Sequence, residues 1–427
     1  DRVRDAGGTV CLHPGVYPLR EPVRITGAKS VAIRGAGPAT VVSAEGSAFV
    51  VDGSAAIAIE KLAVVSIGRR SAVVLNNAAG VRLSELAVVV LGGNDGTGAG
   101  IALAGLTAGV TVRDNFIVAR DGVRAEPAER QGAVLTAALT LSDNVLWCQQ
   151  RGIALEGQVG HLLGHRIENN EVLGCRDSGI TALGVALPGA SLRVVGNTLN
   201  VNGSGIQSGV DGSWIEGNKL QATRQGERAP TGSAITLATG LDAGGSDQAQ
   251  MLSNQVAGFA DSAILINAPV RDLVCKLNII EACGSGIVMS DEGEAGAVSV
   301  ENNHLRDIRG SGANARAGVA VGIAIARTGT ATIAGNDVRR VATTAGNVRL
   351  FAGVMAAGVE RVRIQGNEIA EIGPAADFGG IAAGILIGAP YLEAEVTHNR
   401  VERDAAAQAA AGESAWAALI VTDTDLA

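Results

Sequence analysis

An asparagine recurs along this 427-residue chain in one fixed setting, apolar-x-apolar-x-x-Asn-x-apolar. VTVRDNFIV, HRIENNEVL, VSVENNHLR and VRIQGNEIA are examples. The positions are Asn115, Asn144, Asn170, Asn197, Asn218, Asn254, Asn278, Asn303, Asn336, Asn367 and Asn399, at intervals of 29, 26, 27, 21, 36, 24, 25, 33, 31 and 32 residues. One polar residue held between short alternating apolar runs marks a solenoid in which every coil turns the same corner. AIEKLAVV and VRLSELAVV fit the same register with Lys61 and Glu85 at the corner, giving thirteen corners.

A second landmark follows each corner. It is a short apolar run opened by a small residue, as in GIALA from Gly100, GIALE from Gly152, GIAIA from Gly322 and GILIG from Gly384. One coil is therefore three short strands, apolar at alternate positions: the Gly-Ile strand, a variable loop, strand two, the Asn corner, strand three and a second loop. Stacked coils make three parallel sheets at roughly 4.8 Å per coil. Asparagine suits the corner because it tolerates left-handed backbone, and its amide both donates and accepts. A column of such amides satisfies backbone groups that a buried turn would orphan. That role is structural, not catalytic.

Composition agrees. Glycine numbers 59 and aromatics are 2% of residues, so small and β-branched side chains fill a narrow core. A net charge of -8 leaves no basic footprint for nucleic acid. No run of eighteen apolar residues exists to span a membrane. The chain begins at Asp1 and reads as a fragment of a larger protein.

The first segment, GGTVCLHPGVYPLREPVRITGAKSVAIRGAG, differs from the repeats, with turn residues at Pro14-Gly15 and Pro18. Its Gly-Gly-Thr-Val start, Pro-Gly-x-Tyr turn at Pro14 to Tyr17 and Ile-x-Gly-x-Gly at Ile33 to Gly37 resemble the opening of pectin-lyase-like right-handed parallel β-helix proteins. The Asn-corner coils are similar to the repeats of that superfamily. The resemblance implies an all-β, right-handed parallel β-helix solenoid of about 13 coils. Residues 1–45 would form an N-terminal cap and first coil, with Asp1 to Ala6 ending a capping helix, and residues 46–427 the β-helix. It also implies an extracellular or cell-surface setting, while the residues themselves leave compartment open. The fold hosts lyases, hydrolases, epimerases, tailspikes, adhesins and spacers, so activity must come from the site.

Family enzymes place ionisable residues on the outer face of the Gly-Ile sheet. The outward row here is Ala102, Arg124, Ala154, Thr181, Gln207, Thr236, Leu265, Val288, Ala324, Met355 and Leu386, nearly free of them. The Asp-Asp, Gly-His-Gly and Arg-Ile-Lys strings of polygalacturonase-like enzymes are absent, as is an epimerase-like Asp-Pro-His. One charged cluster remains: Arg124, Glu126 and Glu156 on adjacent coils, with Asp177 in the loop before the next strand. These are the candidate catalytic residues, as an acid/base group in a glycan site. The alternative is a solvated ion-pair ladder. Trp147 and Trp214 read as packing residues or sugar-binding faces.

Five histidines, His13, His161, His165, His304 and His398, read as surface-loop residues. Cys148 and Cys175 each precede a strand-one Gly by four residues and should stack in adjacent coils, as buried thiols or as a disulfide. No cofactor is implied. Calcium has weak candidates at Asn94-Asp95-Gly96, Asp291-Glu292-Gly293-Glu294 and Asp423 to Asp425. The apolar row Leu265, Val288, Met355 and Leu386 needs a cover: its own loops (residues 402–414 among them), a flanking domain, or identical subunits.

Two functions follow. The first is a non-catalytic β-helix scaffold or recognition module of a larger protein, in contact with a polysaccharide. The second is a carbohydrate-active enzyme, a polysaccharide lyase, glycoside hydrolase or epimerase, working on the outer face of the Gly-Ile sheet.

Overall fold

The computed structural model describes residues 6–92, 98–126, 135–185, 191–224, 230–239, 246–311, 318–342, 348–374, 379–403 and 415–425. Among these there is no helix; the regular structure is all strand. Strand pairing is parallel and advances one coil at a time. In strand two, Ala32 pairs with Ala58, Ala58 with Arg82, Arg82 with Thr111, Thr111 with Thr140 and Thr140 with Arg166. The chain is a parallel β-solenoid. Its contacts group it into two units. One comprises Asp1–Asn202, Gln207–Ser213 and Gly240–Gly244; the other comprises Gly203–Ile206, Trp214–Thr239 and Gly245–Ala427. The proposed helix ending at Ala6 lies outside the described residues but for Ala6 itself, which is in a turn.

The asparagines form the expected ladder. In the first unit Asn115 Nδ2 donates to Asn144 Oδ1 at 2.9 Å, Asn144 to Asn170 at 2.9 Å and Asn170 to Asn197 at 2.9 Å. In the second unit the run goes from Asn218 through Asn254, Asn278, Asn303, Asn336 and Asn367 to Asn399, at 2.8–3.0 Å. Each Oδ1 that accepts one of these side-chain bonds also accepts the backbone N–H of the preceding asparagine, as Asn303 Oδ1 does from Asn278 at 3.0 Å. The second Nδ2 bond reaches a strand-two carbonyl, as Asn303 does to Cys275 at 3.0 Å. The side chains from Asn115 to Asn367 are buried, Asn399 at the end is half-buried, and their polar atoms are satisfied.

The corner itself sits one residue earlier than expected. The positive φ belongs to the residue before each asparagine, such as Asp114 at 56°, Leu277 at 58°, Gly335 at 63° and His398 at 55°. Lys61 and Glu85, at 58° and 54°, occupy this left-handed slot. Leu62 and Leu86, not Lys61 and Glu85, therefore hold the asparagine register, and Leu86 N–H closes the column by donating to Asn115 Oδ1 at 2.9 Å. The asparagine is selected for the amide that bridges coils, not for a left-handed backbone.

The three strands of a coil are less separate than the sequence implies. Val145–Leu163 runs through strand three into strand one, and Val319–Ala334 and Leu350–Gln365 run through strands one and two. The small residue opening strand one is there because coils approach closely. A Cβ on Gly152 would lie 2.4 Å from Gly179 O and 2.4 Å from Val172 Cγ1. Ile153, Val172, Ile180 and their equivalents fill the lumen.

His165 is not a surface-loop residue. It takes the first apolar place of its repeat and is 0% exposed. Nδ1 accepts the Leu139 N–H at 3.2 Å, which leaves the proton on Nε2, 3.1 Å from Thr136 Oγ1. Burial lowers its pKa to about 4. His161 also lies in strand rather than loop, paired with Val185. His13, His304 and His398 are exposed, as expected.

Three outcomes follow. Asn303→Ala strands the Asn278 amide and one carbonyl, and should lower stability by about 3 kcal/mol in urea unfolding. Leu277→Gly relieves a left-handed leucine that is 57% exposed, and should raise stability by roughly 1 kcal/mol. A histidine with a depressed pKa binds protons in the unfolded chain first. Its stability contribution is present above pH 6.5 and is lost as pH falls toward 4, on the order of 3 kcal/mol in all. Hydrogen exchange at the Leu139 amide should accelerate over that window in the natural protein, and the acceleration should be absent in His165→Gln.

Candidate functional site

The candidate residues lie in the first unit, where strands Phe116–Glu126, Val145–Leu163 and Ser178–Val185 stack. The network centres on Asp121, which is not among the four residues expected from the sequence. Asp121 pairs in register with Arg151, and its side chain is 1% exposed. Arg151 grips it with two bonds, Nε to Oδ1 at 3.2 Å and Nη2 to Oδ2 at 3.0 Å. Arg124 Nη1 adds a third, to Oδ2 at 2.8 Å. Such forked, charge-assisted contacts are the strong kind, and a buried carboxylate requires them.

Of the four expected residues, Arg124 and Glu156 enter this network. Arg151 Nη1 donates to Glu156 Oε2 at 3.3 Å, so Arg151 links the two carboxylates. Asp177 joins a second chain: Arg120 Nε donates to Gln150 Oε1 at 2.5 Å, and Gln150 Nε2 to Asp177 Oδ2 at 2.6 Å. Glu126 pairs its backbone with Ala104, and its side chain lies outside the described residues. Desolvation works to lower the Arg151 pKa, but the Asp121 hydrogen bonds and charge, with Glu156 and Asp177 behind them, raise it above the ordinary value. Arg151 is a fixed cation. The acids that are described here are engaged by side-chain donors, and the network contains no histidine.

Asp121 and Arg151 were legible in one respect. ARDGVRAE and QQRGIALE place opposite charges in the same slot before the strand-one Gly, one coil apart. Trp147 also departs from a packing role. It is 60% exposed on the outer side of strand three, beside exposed Gln149, while Leu146 and Cys148 point inward. Trp214 is half-buried and donates to Glu216 at 2.7 Å.

Elsewhere the outward row behaves as a covered surface. Ala102, Ala154, Thr181, Val288, Ala324 and Leu386 are buried, and Leu265 and Met355 half-buried, within the chain itself. Val288, Ala324 and Leu386 pack with Val321, Ala352 and Ala383 into a small core outside the lumen. Most of the loop 402–414 lies outside the described residues. Cys148 and Cys175 are buried free thiols; a hydrogen bond between them, then burial, holds Cys148 well above its usual pKa. Burial also pushes Cys275 to about 12 and Cys283 to about 11.

Of the calcium candidates, 94–96 lies outside the described residues. At 290–293 the chain's own cation is seated: Arg327 donates to the carbonyls of Ser290 and Gly293, and Glu292 accepts from Asn267 Nδ2 at 2.8 Å. Among the described residues no group of three or more His, Cys, Asp or Glu is placed to hold a metal ion. No described helix is long and apolar enough to cross a membrane.

A family model described as "Right handed beta helix region" matches residues 140–338. With the parallel register and the amide ladder, this makes the chain a β-helix repeat protein. Solved structures that resemble it include the A-module of Azotobacter vinelandii mannuronan C-5 epimerase AlgE6, at 12% identity over 98% of this chain and 92% of that one, with a TM-score of 0.34. A tailspike double mutant of Escherichia coli bacteriophage HK620 resembles it at 12% identity over 96% and 74%, with a TM-score of 0.45. Another mutant of that tailspike, solved with a pentasaccharide, matches at 12% identity over 91% and 62%, with a TM-score of 0.42. No curated protein matches significantly.

Proposed function

We propose that this chain is a non-catalytic recognition module, a rigid β-helix that contacts a polysaccharide through the face carrying Trp147, Gln149 and Asp177. The observation that carries the reading is the closure of the charged network. Asp121 is neutralised by two arginines, Glu156 is held by Arg151, and Asp177 is held by Gln150. An acid/base site needs a carboxyl or imidazole aimed at substrate. The described carboxylates here are instead aimed at neighbouring side chains, which fixes the shape of the surface. Trp147 is the group left to meet a ligand, with an apolar ring for the C–H face of a sugar. Gln149 and Asp177, close along the same coils, offer donors and acceptors for hydroxyls.

The test pairs retention with turnover on acidic and neutral polysaccharides. Retardation in affinity electrophoresis should occur with at least one polymer and weaken about tenfold in Trp147→Ala. Neither unsaturated products nor new reducing ends should accumulate. Turnover that disappears in Glu156→Gln would establish the enzyme reading instead.

A further inference from the structure

On the side of the first unit where strand two turns into strand three, the corner residues border a trough of about 710 Å3. One wall is the loop Gly35–Pro38. It is held by the Ala36 N–H bond to Thr40 Oγ1 at 3.0 Å and the Gly37 N–H bond to Lys61 O at 2.8 Å. The floor is Lys61 and then, one coil on, Glu85 to Ala87. The far wall is Asp114 and Phe116, another coil on, with Phe116 pairing in register with Ala87. The left-handed slot holds Lys61, Glu85 and Asp114 at the rim, because a residue at that corner cannot face the lumen that the next residue enters.

Two properties define the ligand. The first is a ring standing beside a small floor residue. Phe116 is 44% exposed between its register partners Ala87 and Val145, and Ala87, on the trough side, is too small to cover it. In a chain with 2% aromatics, a phenyl ring left bare against alanine is a stacking surface without a stack. The second is charge. The ionisable side chains here have opposite partners in place: Lys61 with Glu85 at 3.5 Å, Arg34 with Glu60 at 3.6 Å and Asp114 with Arg113 at 3.8 Å. The trough therefore offers strong donors and acceptors side by side with little net field. A charged ligand would have to break one of these pairs. An uncharged polyhydroxylated ring would not, and it suits the mixture of donor, acceptor and apolar face.

We propose that this trough is a second binding site, separate from the Trp147 face, that takes one or two pyranose rings of a neutral oligosaccharide. Phe116 stacks on the C–H face of a ring. Glu85 and Asp114 accept hydroxyl protons, and Lys61 donates. The volume lies within the range of small-molecule sites. The proposal shares with the preceding reading only the class of ligand.

The test titrates cellobiose, maltose, lactose and mannobiose into the whole chain, followed by saturation-transfer NMR. At least one should bind saturably, with an affinity that changes less than twofold between 50 and 500 mM salt, roughly what a neutral ligand requires. Phe116→Leu keeps the apolar bulk and removes the ring, and should weaken binding about tenfold; Glu85→Gln should weaken it with the far-ultraviolet spectrum unchanged. In Trp147→Ala a saturable component that Phe116→Leu removes should remain, so failure of this site and failure of the Trp147 face read out separately. Absence of saturable binding by all four sugars, binding abolished by salt, or binding lost in Trp147→Ala and retained in Phe116→Leu would each overturn the proposal.

Discussion

The bond from one asparagine amide to the next is the constraint on which the rest of the structure rests. A parallel solenoid must turn a corner in every coil, and the turn leaves backbone groups without strand partners. The ladder meets that need with a single residue type per coil. The Nδ2 group reaches one coil onward and a carbonyl of the coil before, while Oδ1 takes two protons from the preceding asparagine. Because the amide has two donors and an acceptor with two lone pairs, it can be fully used at this place. Aspartate could not donate, and a hydroxyl could not reach both neighbours. Side chains elsewhere are free to vary because this column fixes pitch and register.

The functional surface depends on that regularity. Asp121 and Arg151 meet because their coils are in register, and Arg124 reaches the same carboxylate from three residues along the strand. Opposite charges stacked one coil apart in a half-buried position make a rigid platform, since neither can leave without exposing the other to an unpaired burial. The same stacking puts Phe116 one coil from Ala87, and places Trp147 two residues along and one coil further. Aromatic rings on this protein are rare, and these two are exposed.

The fold was readable because its signal repeats: thirteen corners and a small residue opening each Gly-Ile strand. The corner geometry is less legible, because the left-handed residue precedes the asparagine. The conspicuous residue is the one with the side-chain task. The one with the strained backbone points outward and varies among Asp, Asn, Gly, Ser, Leu and His. For His165 the alternation of the strand contradicts a surface-loop position, and for Trp147 it selects the exposed alternative. His165 shares a face with Ile167, and Trp147 opposes Leu146. The charged cluster was half legible: Arg124 and Glu156 show in the sequence, but the buried acid that joins them appears only when coils are overlaid.

One property of the amide column concerns direction. The side-chain bonds run the same way, from the NH2 group of one coil to the oxygen of the next, and Leu86 N–H meets the oxygen of Asn115 at the opening end. Aligned dipoles in a low-dielectric interior reinforce one another. Within each unit the column is thus an electrical arrow as well as a mechanical seam, oxygen-terminated toward the amino end and hydrogen-terminated toward the other. A coil inserted in reverse would set like poles face to face. The wall can lengthen or shorten by whole turns, but it cannot be assembled backwards.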